Sequence, residues 1–421
     1  MTNQATANDK KAIGPAFEWW MIAYFGLGAG FSAFVRLLIP PYITEATGSA
    51  AAAGVVMATM SLSAVVAPTL GGFADRYRAH RLVLNLGMFG IALAFVAYAL
   101  SAGDALVTAL DAILLGVSVA AINAIAPVFI VSAGLSQKLQ AKRLTTLNVL
   151  APLGQTVGGA ILGWAATAGM TYDQRFWIAA FFMFGSGLIV LFSTAKPAAR
   201  IQVASAPDAN SAEGQTSPGL KQVLFSTFGI YLLILIFSSV AFNGFNAQVA
   251  NIFPKVFGFS EALTSSVISL AGLLGIVGFF IAGAWMARSG STPVYTGGTI
   301  LRVVGIAALA LLGAIGSMPA LIVIIAAQIL YFSRSFGRLP QPAIGVRFAV
   351  ISAGQATGWI GGAGAIGSFL GSLLGGWLAD TLGFNAILWM GAISSGIALL
   401  LVVFALWPAE RKKRAAESAP A

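Results

Sequence analysis

Twelve apolar runs, each near the length of one bilayer crossing, dominate this chain and leave it few ways to fold. They occupy 19–43, 51–72, 82–100, 106–133, 144–168, 176–194, 223–252, 262–286, 295–316, 320–340, 348–378 and 384–406. A hydrocarbon core about 30 Å thick is crossed by about 20 residues of helix. Only helices and closed barrels satisfy their own backbone there. Barrel strands would be short and alternating, whereas these runs are continuous, so the expected class is an all-α integral membrane fold of twelve transmembrane helices. Charged residues make up only 9% of the chain, against about 25% in soluble domains, which excludes a soluble enzyme or a disordered chain. Cys is absent and His80 is the only histidine, so disulfides, thiolate metal sites and histidine-built centres are excluded, and no cofactor is expected. The net charge of +10 does not point to nucleic acid, because the basic residues lie in short clusters between apolar runs.

Those clusters set an expected orientation. Lys10, Lys11, Arg76, Arg78, Arg81, Lys138, Lys142, Arg143, Lys196, Arg200, Lys221, Arg288, Arg347 and the tail from Arg411 fall on one side; Arg175 and Lys255 fall on the other. Both termini are expected in the cytoplasm. The segments read as a lead at 1–18, a six-helix bundle at 19–195, a flexible linker at 196–222, a second bundle at 223–407 and a basic tail at 408–421. The first run is too long, and lacks the small-residue cleavage site, for a signal peptide.

The halves repeat each other. Gly154, Gly158, Gly163 and Trp164 recur 213 positions later as Gly367, Gly371, Gly376 and Trp377, while Gly71 and Arg76 recur after 212 as Gly283 and Arg288. Six spans repeated in parallel give a pseudo-two-fold axis along the membrane normal, the arrangement of alternating-access carriers. Gly154, Gly158, Gly159, Gly367 and Gly371 have the spacing that lets helix backbones approach closely.

With these features the chain resembles the major facilitator superfamily along its whole length. The segment Gly71-Gly72-Phe73-Ala74-Asp75-Arg76-Tyr77-Arg78-Ala79-His80-Arg81 is similar to that family's signature Gly-x-Leu-Ala-Asp-Arg-x-Gly-Arg-Arg/Lys. Phe73 stands for Leu, Arg78 for the second Gly and Ala79 for an Arg. The resemblance implies a gate built on Gly71, Asp75, Arg76 and Arg81, with Arg288 as the second-half counterpart. In span five, Gln155 replaces the proline of the family's antiporter signature, which weakens an antiport reading.

Ionisable residues inside spans are costly and mark function. Arg334 and Arg338 lie four apart in span ten, on a stripe with Gln328 and Tyr331; Arg36 lies late in span one. Arginine's planar fork suits carboxylates and phosphates. Together with Asn123, Gln155, Asn243 and Asn246, and with Gln248 and Asn251 nearby, they are the candidate substrate ligands. Arg302 reads as an interface anchor. Asp111, inside span four, is the sole candidate for proton coupling.

The expected function is secondary transport of a small organic solute, an organic anion, through a central cavity, driven by a proton or counter-solute gradient. A multidrug or metabolite efflux antiporter of the same fold stays open. No Gly-x-x-x-x-Gly-Lys-Ser/Thr loop occurs, so ATP is not the direct energy source, and no catalytic constellation is visible. The expected setting is a bacterial-type inner membrane, with the bilayer and a small solute as partners and the chain as a monomer.

Overall fold

The computed structural model describes residues 15–101, 104–201, 220–316, 318–351 and 353–418. Residues 1–14 of the expected lead (with Lys10 and Lys11), most of the linker and the last three residues lie outside the described residues. Every regular element among the described residues is helical. Twelve helices are long and apolar enough to cross a membrane: α1 (Trp19–Thr47), α2 (Ala50–Tyr77), α3 (His80–Leu100), α4 (Leu106–Val131), α5 (Leu139–Thr167), α6 (Tyr172–Ser193), α7 (Thr227–Ala247), α8 (Glu261–Ser289), α9 (Ser291–Ile315), α10 (Ala320–Arg338), α11 (Gln355–Leu382) and α12 (Asn385–Ala415).

Two spans end differently from their apolar runs. The run 223–252 breaks at Gln248 (φ −124°, ψ 11°), and a separate helix, Val249–Phe257, follows. The run 348–378 is interrupted where Ala349 turns extended, so the helix Gln341–Phe348 stands apart from α11. Hydropathy marks what tolerates lipid, whereas helix ends are decided by local backbone geometry and side-chain hydrogen bonds. The tail, in contrast, continues as the helix Trp407–Ser418. Glu410 stitches it down, accepting from Arg347 Nε and Arg414 Nε at 2.7 Å each.

Close contacts divide the chain into two compact units. One takes the described residues up to Leu38 and those from Ser63 to the linker; the other takes Ile39–Leu62 with the second half. The expected partition kept 39–62 in the first bundle. The boundaries fall where two helices lose regular geometry. In α1 a π-helical stretch, Gly28–Val35, is followed by Pro40 and Pro41; in α2 the turn Ala64–Val66 is 3₁₀. Proline removes a backbone donor and crowds the preceding turn, and such irregularities are where helices bend.

Within each unit the same crossing recurs. In the first, a Cβ on Gly28 would overlap the Ala151 carbonyl, and one on Gly154 would overlap that of Phe25. One on Gly158 would come within 3.0 Å of the Ala29 Cα. Thus α1 and α5 touch backbone to backbone, and Gly159 is buried beside them. In the second unit a Cβ on Gly367 would lie 2.5 Å from the Ile236 carbonyl and one on Gly371 2.5 Å from that of Val240. Helix α7 meets α11 as α1 meets α5. The repeat seen in sequence is therefore a repeat of contacts.

Gly154→Ala should lower the unfolding midpoint in detergent, costing about 1–3 kcal/mol through overpacking. Gly71→Ala, whose Cβ would meet nothing within 4 Å, should be neutral or stabilising by up to about 1 kcal/mol. Equal midpoints for the two would contradict the crossing.

Candidate functional site

The second unit brings four expected or adjacent residues into one cluster. The Arg334 guanidinium on α10 lies 5.5 Å over the Phe242 ring of α7. One turn earlier, the Tyr331 hydroxyl donates to Asn246 Oδ1 at 3.2 Å, and Asn246 Nδ2 donates to the Phe242 carbonyl at 2.6 Å. Tyr331 packs edge-on against Phe242, ring centroids 6.0 Å apart. Arg334 is half-buried, so its charge is held on an aromatic face by groups whose own hydrogen bonds are made. A guanidinium presented this way can take a carboxylate or phosphate through two parallel N–H groups.

The remaining candidates fall elsewhere. Gln328 turns to α8, donating to the Val267 carbonyl at 3.0 Å. Asn243 donates to Ser368 Oγ of α11 at 2.8 Å. Arg338 is exposed in the last turn of α10, as is Arg288 at the end of α8. In the first unit, Arg36 is buried with its guanidinium 5.4 Å from the Phe31 ring, and Gln155 is buried too. Asn123 is exposed and satisfies its own helix, donating to the Val119 carbonyl at 3.0 Å. Asp111 is buried in α4, and its Oδ2 has no hydrogen-bond partner among the described residues. Arg302 corrects the sequence reading: it is 7% exposed and so is not an interface anchor.

The loop between α2 and α3 shows what its signature residues do locally. The exposed Asp75 meets the buried His80 ring, Oδ1 to Nε2 2.8 Å. Arg76 stacks on Tyr77, and Arg81 Nη2 donates to the Leu191 carbonyl near the end of α6 at 3.1 Å. Gly71 faces open space. Arg78 closes α2 in left-handed geometry, φ 52°, the sole non-glycine with positive φ among the described residues. This is the position where the family signature carries glycine, because a Cβ is disfavoured there.

A second carboxylate holds the opposite end of α2, and it was missed. Asp380 of α11 accepts from Ser49 Oγ at 2.6 Å, from Ala50 N at 2.7 Å and from Ala51 N at 3.0 Å. It thereby caps the N-terminus of α2, where orphan N–H groups and the helix dipole favour negative charge. One turn in, Gly54 and Gly376 cross: a Cβ on Gly54 would lie 2.9 Å from the Gly376 Cα. Gln248 donates to the Ala50 carbonyl at 2.9 Å and Asn251 to Thr44 Oγ1 at 3.0 Å. These two amides therefore bridge helices. A signal was available: Gly376-x-Leu378-Ala379-Asp380-x-x-Gly383 repeats the Gly-x-Leu-Ala-Asp spacing of the α2–α3 signature, with Gly383 at φ 85° in the place of Arg78.

Such a duplicated helical membrane fold, with glycine crossings and a carboxylate at each end of α2, is that of a polytopic carrier. The family model of the Major Facilitator Superfamily matches residues 20–351, and the chain belongs to that family. It is a multi-pass membrane transporter and not an enzyme. The nucleoside transporter NupG superposes with a TM-score of 0.65 at 13% identity, over 92% of this chain and 97% of that one. A POT family transporter in complex with 5-aminolevulinic acid gives 0.71 at 15%, over 92% and 95%. The human organic anion transporter MFSD10 (TETRAN) gives 0.63 at 16%, over 93% and 100%. At these identities the likeness is one of fold. No curated protein sequence matches the chain.

Arg78→Gly should stabilise the protein by about 1 kcal/mol by removing the left-handed cost. A lowered unfolding midpoint would show that the Arg78 side chain holds the loop instead.

Proposed function

We propose that this transporter moves a small organic anion by alternating access, with Arg334 as the charged ligand. The observation that carries the reading is the half-buried Arg334 guanidinium lying on Phe242, beside the Tyr331–Asn246 pair. In this reading those neighbours orient the fork, and a substrate carboxylate or phosphate meets it through parallel N–H groups. The names of two fold neighbours, an organic anion transporter and a carrier holding 5-aminolevulinic acid, agree with charged small solutes as cargo. In this reading the termini lie in the cytoplasm of a bacterial-type cell, the chain works as a monomer, and a proton gradient supplies the energy.

In this reading the Asp380 cap and the Gly54–Gly376 crossing are the gate, holding the start of α2 on α11. Opening it breaks three hydrogen bonds to one carboxylate and separates two apposed backbones. The alternative, proton-coupled efflux of drugs or metabolites, is favoured by one observation: Asp111 is buried with an unpartnered oxygen, as a proton-exchanging acid would be.

In proteoliposomes, Arg334→Ala should abolish saturable uptake of anionic substrates, with Arg334→Lys retaining a minor fraction. Transport that survives Arg334→Ala and fails in Asp111→Asn would select the efflux reading.

The chain has no cysteine, so an introduced thiol reports alone. Ser372→Cys, buried against Gly54, should react slowly with a maleimide, and about tenfold faster when Asp380→Ala removes the cap. An unchanged rate would remove Asp380 from gating.

A further inference from the structure

The first unit contains a cavity of about 720 Å³ between α2, α3, α4 and α6. One side of it is a close crossing. A Cβ on Gly90 of α3 would overlap the Ser118 hydroxyl of α4, and one on Gly87 would lie 2.9 Å from the Ser118 carbonyl oxygen. Small residues on both helices, Ala92 and Ala121 among them, leave the adjoining space unfilled. Phe89 of α3 meets Phe184 of α6 edge-on, ring centroids 5.5 Å apart, and Leu70 and Phe73 of α2 form a further wall. Leu86, Leu93 and Phe181 line the cavity and are exposed on helices that cross the membrane, so it opens toward lipid.

The lining decides what can fill this space. No lining residue is charged, and Ser118 supplies its one hydroxyl. A buried water needs roughly two to four polar partners, and packed proteins keep few voids larger than a water molecule. The occupant is therefore hydrocarbon. From Val83 to Val96 the cavity follows α3 for about 20 Å at 1.5 Å per residue. One leaflet of the hydrocarbon core is about 15 Å deep, so an acyl chain fits lengthwise.

The end of the cavity at the α2–α3 loop is cationic. Phe73 packs on Tyr77 with ring centroids 4.9 Å apart, and the Arg76 guanidinium lies 5.5 Å over the Tyr77 ring. Arg81, in the first turn of α3, reaches α6 through its bond to the Leu191 carbonyl. Arg76, Arg78 and Arg81 are all exposed. The acid of this loop, Asp75, is bonded to His80, and no carboxylate among the described residues pairs with the three arginines. Guanidinium forks at the end of an apolar trench match a phosphate with a hydrocarbon chain below it. A zwitterionic headgroup would bring its own cation to the same cluster. We infer that the first unit binds an anionic phospholipid of the phosphatidylglycerol class, its acyl chain in the cavity and its phosphate on Arg76 and Arg81. Because Leu70 and Phe73 belong to α2, the bound chain braces that part of α2 against α3 and α6. The site does not depend on which solute the transporter carries.

The test is thermal unfolding of the full-length protein in detergent, titrated with dioleoyl phosphatidylglycerol, dioleoyl phosphatidylcholine or glycerol phosphate. Wild type should show a saturable rise in midpoint with phosphatidylglycerol, half-saturating about tenfold below phosphatidylcholine, and no rise with glycerol phosphate. Arg76→Gln, a change at an exposed residue, should raise the half-saturating phosphatidylglycerol concentration about tenfold. Val117→Phe adds a ring to the cavity lining from α4; it should raise the lipid-free midpoint and lose most of the phosphatidylglycerol increment. Should Val117→Phe not fold, Leu93→Trp at an exposed lining position should weaken phosphatidylglycerol binding by narrowing the opening. Equal responses to the two lipids, a full response to glycerol phosphate, an unchanged half-saturation in Arg76→Gln, or a phosphatidylglycerol response untouched by both cavity variants would overturn the site.

Discussion

Backbone contact at glycine is the constraint on which this architecture rests. Lipid tails are as apolar as leucine, so burial alone does not draw one helix onto another in a bilayer; close van der Waals packing has to do so. The crossings of α1 with α5 and of α7 with α11 supply that packing. At each, a carbonyl of one helix occupies the space where a Cβ of the other would stand. Phe25 and Ala29 in the first crossing correspond to Ile236 and Val240 in the second, both 211 positions later. A duplicated fold thus keeps its glycines because it keeps its distances.

Rigid crossings need compliant segments elsewhere, and the first two helices carry several of them. The π-helical stretch and paired prolines of α1, with the 3₁₀ turn of α2, sit on either side of the hairpin 39–62. That hairpin packs with the second half. Two carboxylates hold the two ends of α2 by different means. Asp75 reaches only five residues, to His80. Asp380 spans 331 residues, to Ser49, and meets backbone N–H groups as well. A local bond of the first kind survives motion of α2 as a body; the second is broken by it. Both carboxylates follow the same short pattern of glycine, alanine and acid, so one sequence device is used for a turn at one end and a cap at the other.

The arginines divide by how their charge is met. Arg347 and Arg414 have Glu410. Arg36 and Arg334 lie on phenylalanine rings, which lower the cost of burying the charge. Arg302 lies in a glycine seam, its Nη2 2.8 Å from where a Cβ on Gly337 would stand. The buried Arg143 is paired with Glu18 at 2.6 Å.

Sequence alone determined the class, the number of spans, the internal repeat and the family, because each follows from properties that are additive along the chain: apolar length, fixed glycine spacing and a contiguous signature. It also picked out Arg334, Tyr331 and Asn246, which the fold then joined. The tertiary structure decided the rest. Gln248 and Asn251 became bridges to the α1–α2 hairpin, Arg302 turned inward, and Asp380 became a cap. An amide or an arginine on an apolar helix carries no mark of which neighbour it will meet. That depends on the rotation and crossing of helices nearly 200 or more residues apart, and those are set by packing that no single segment contains.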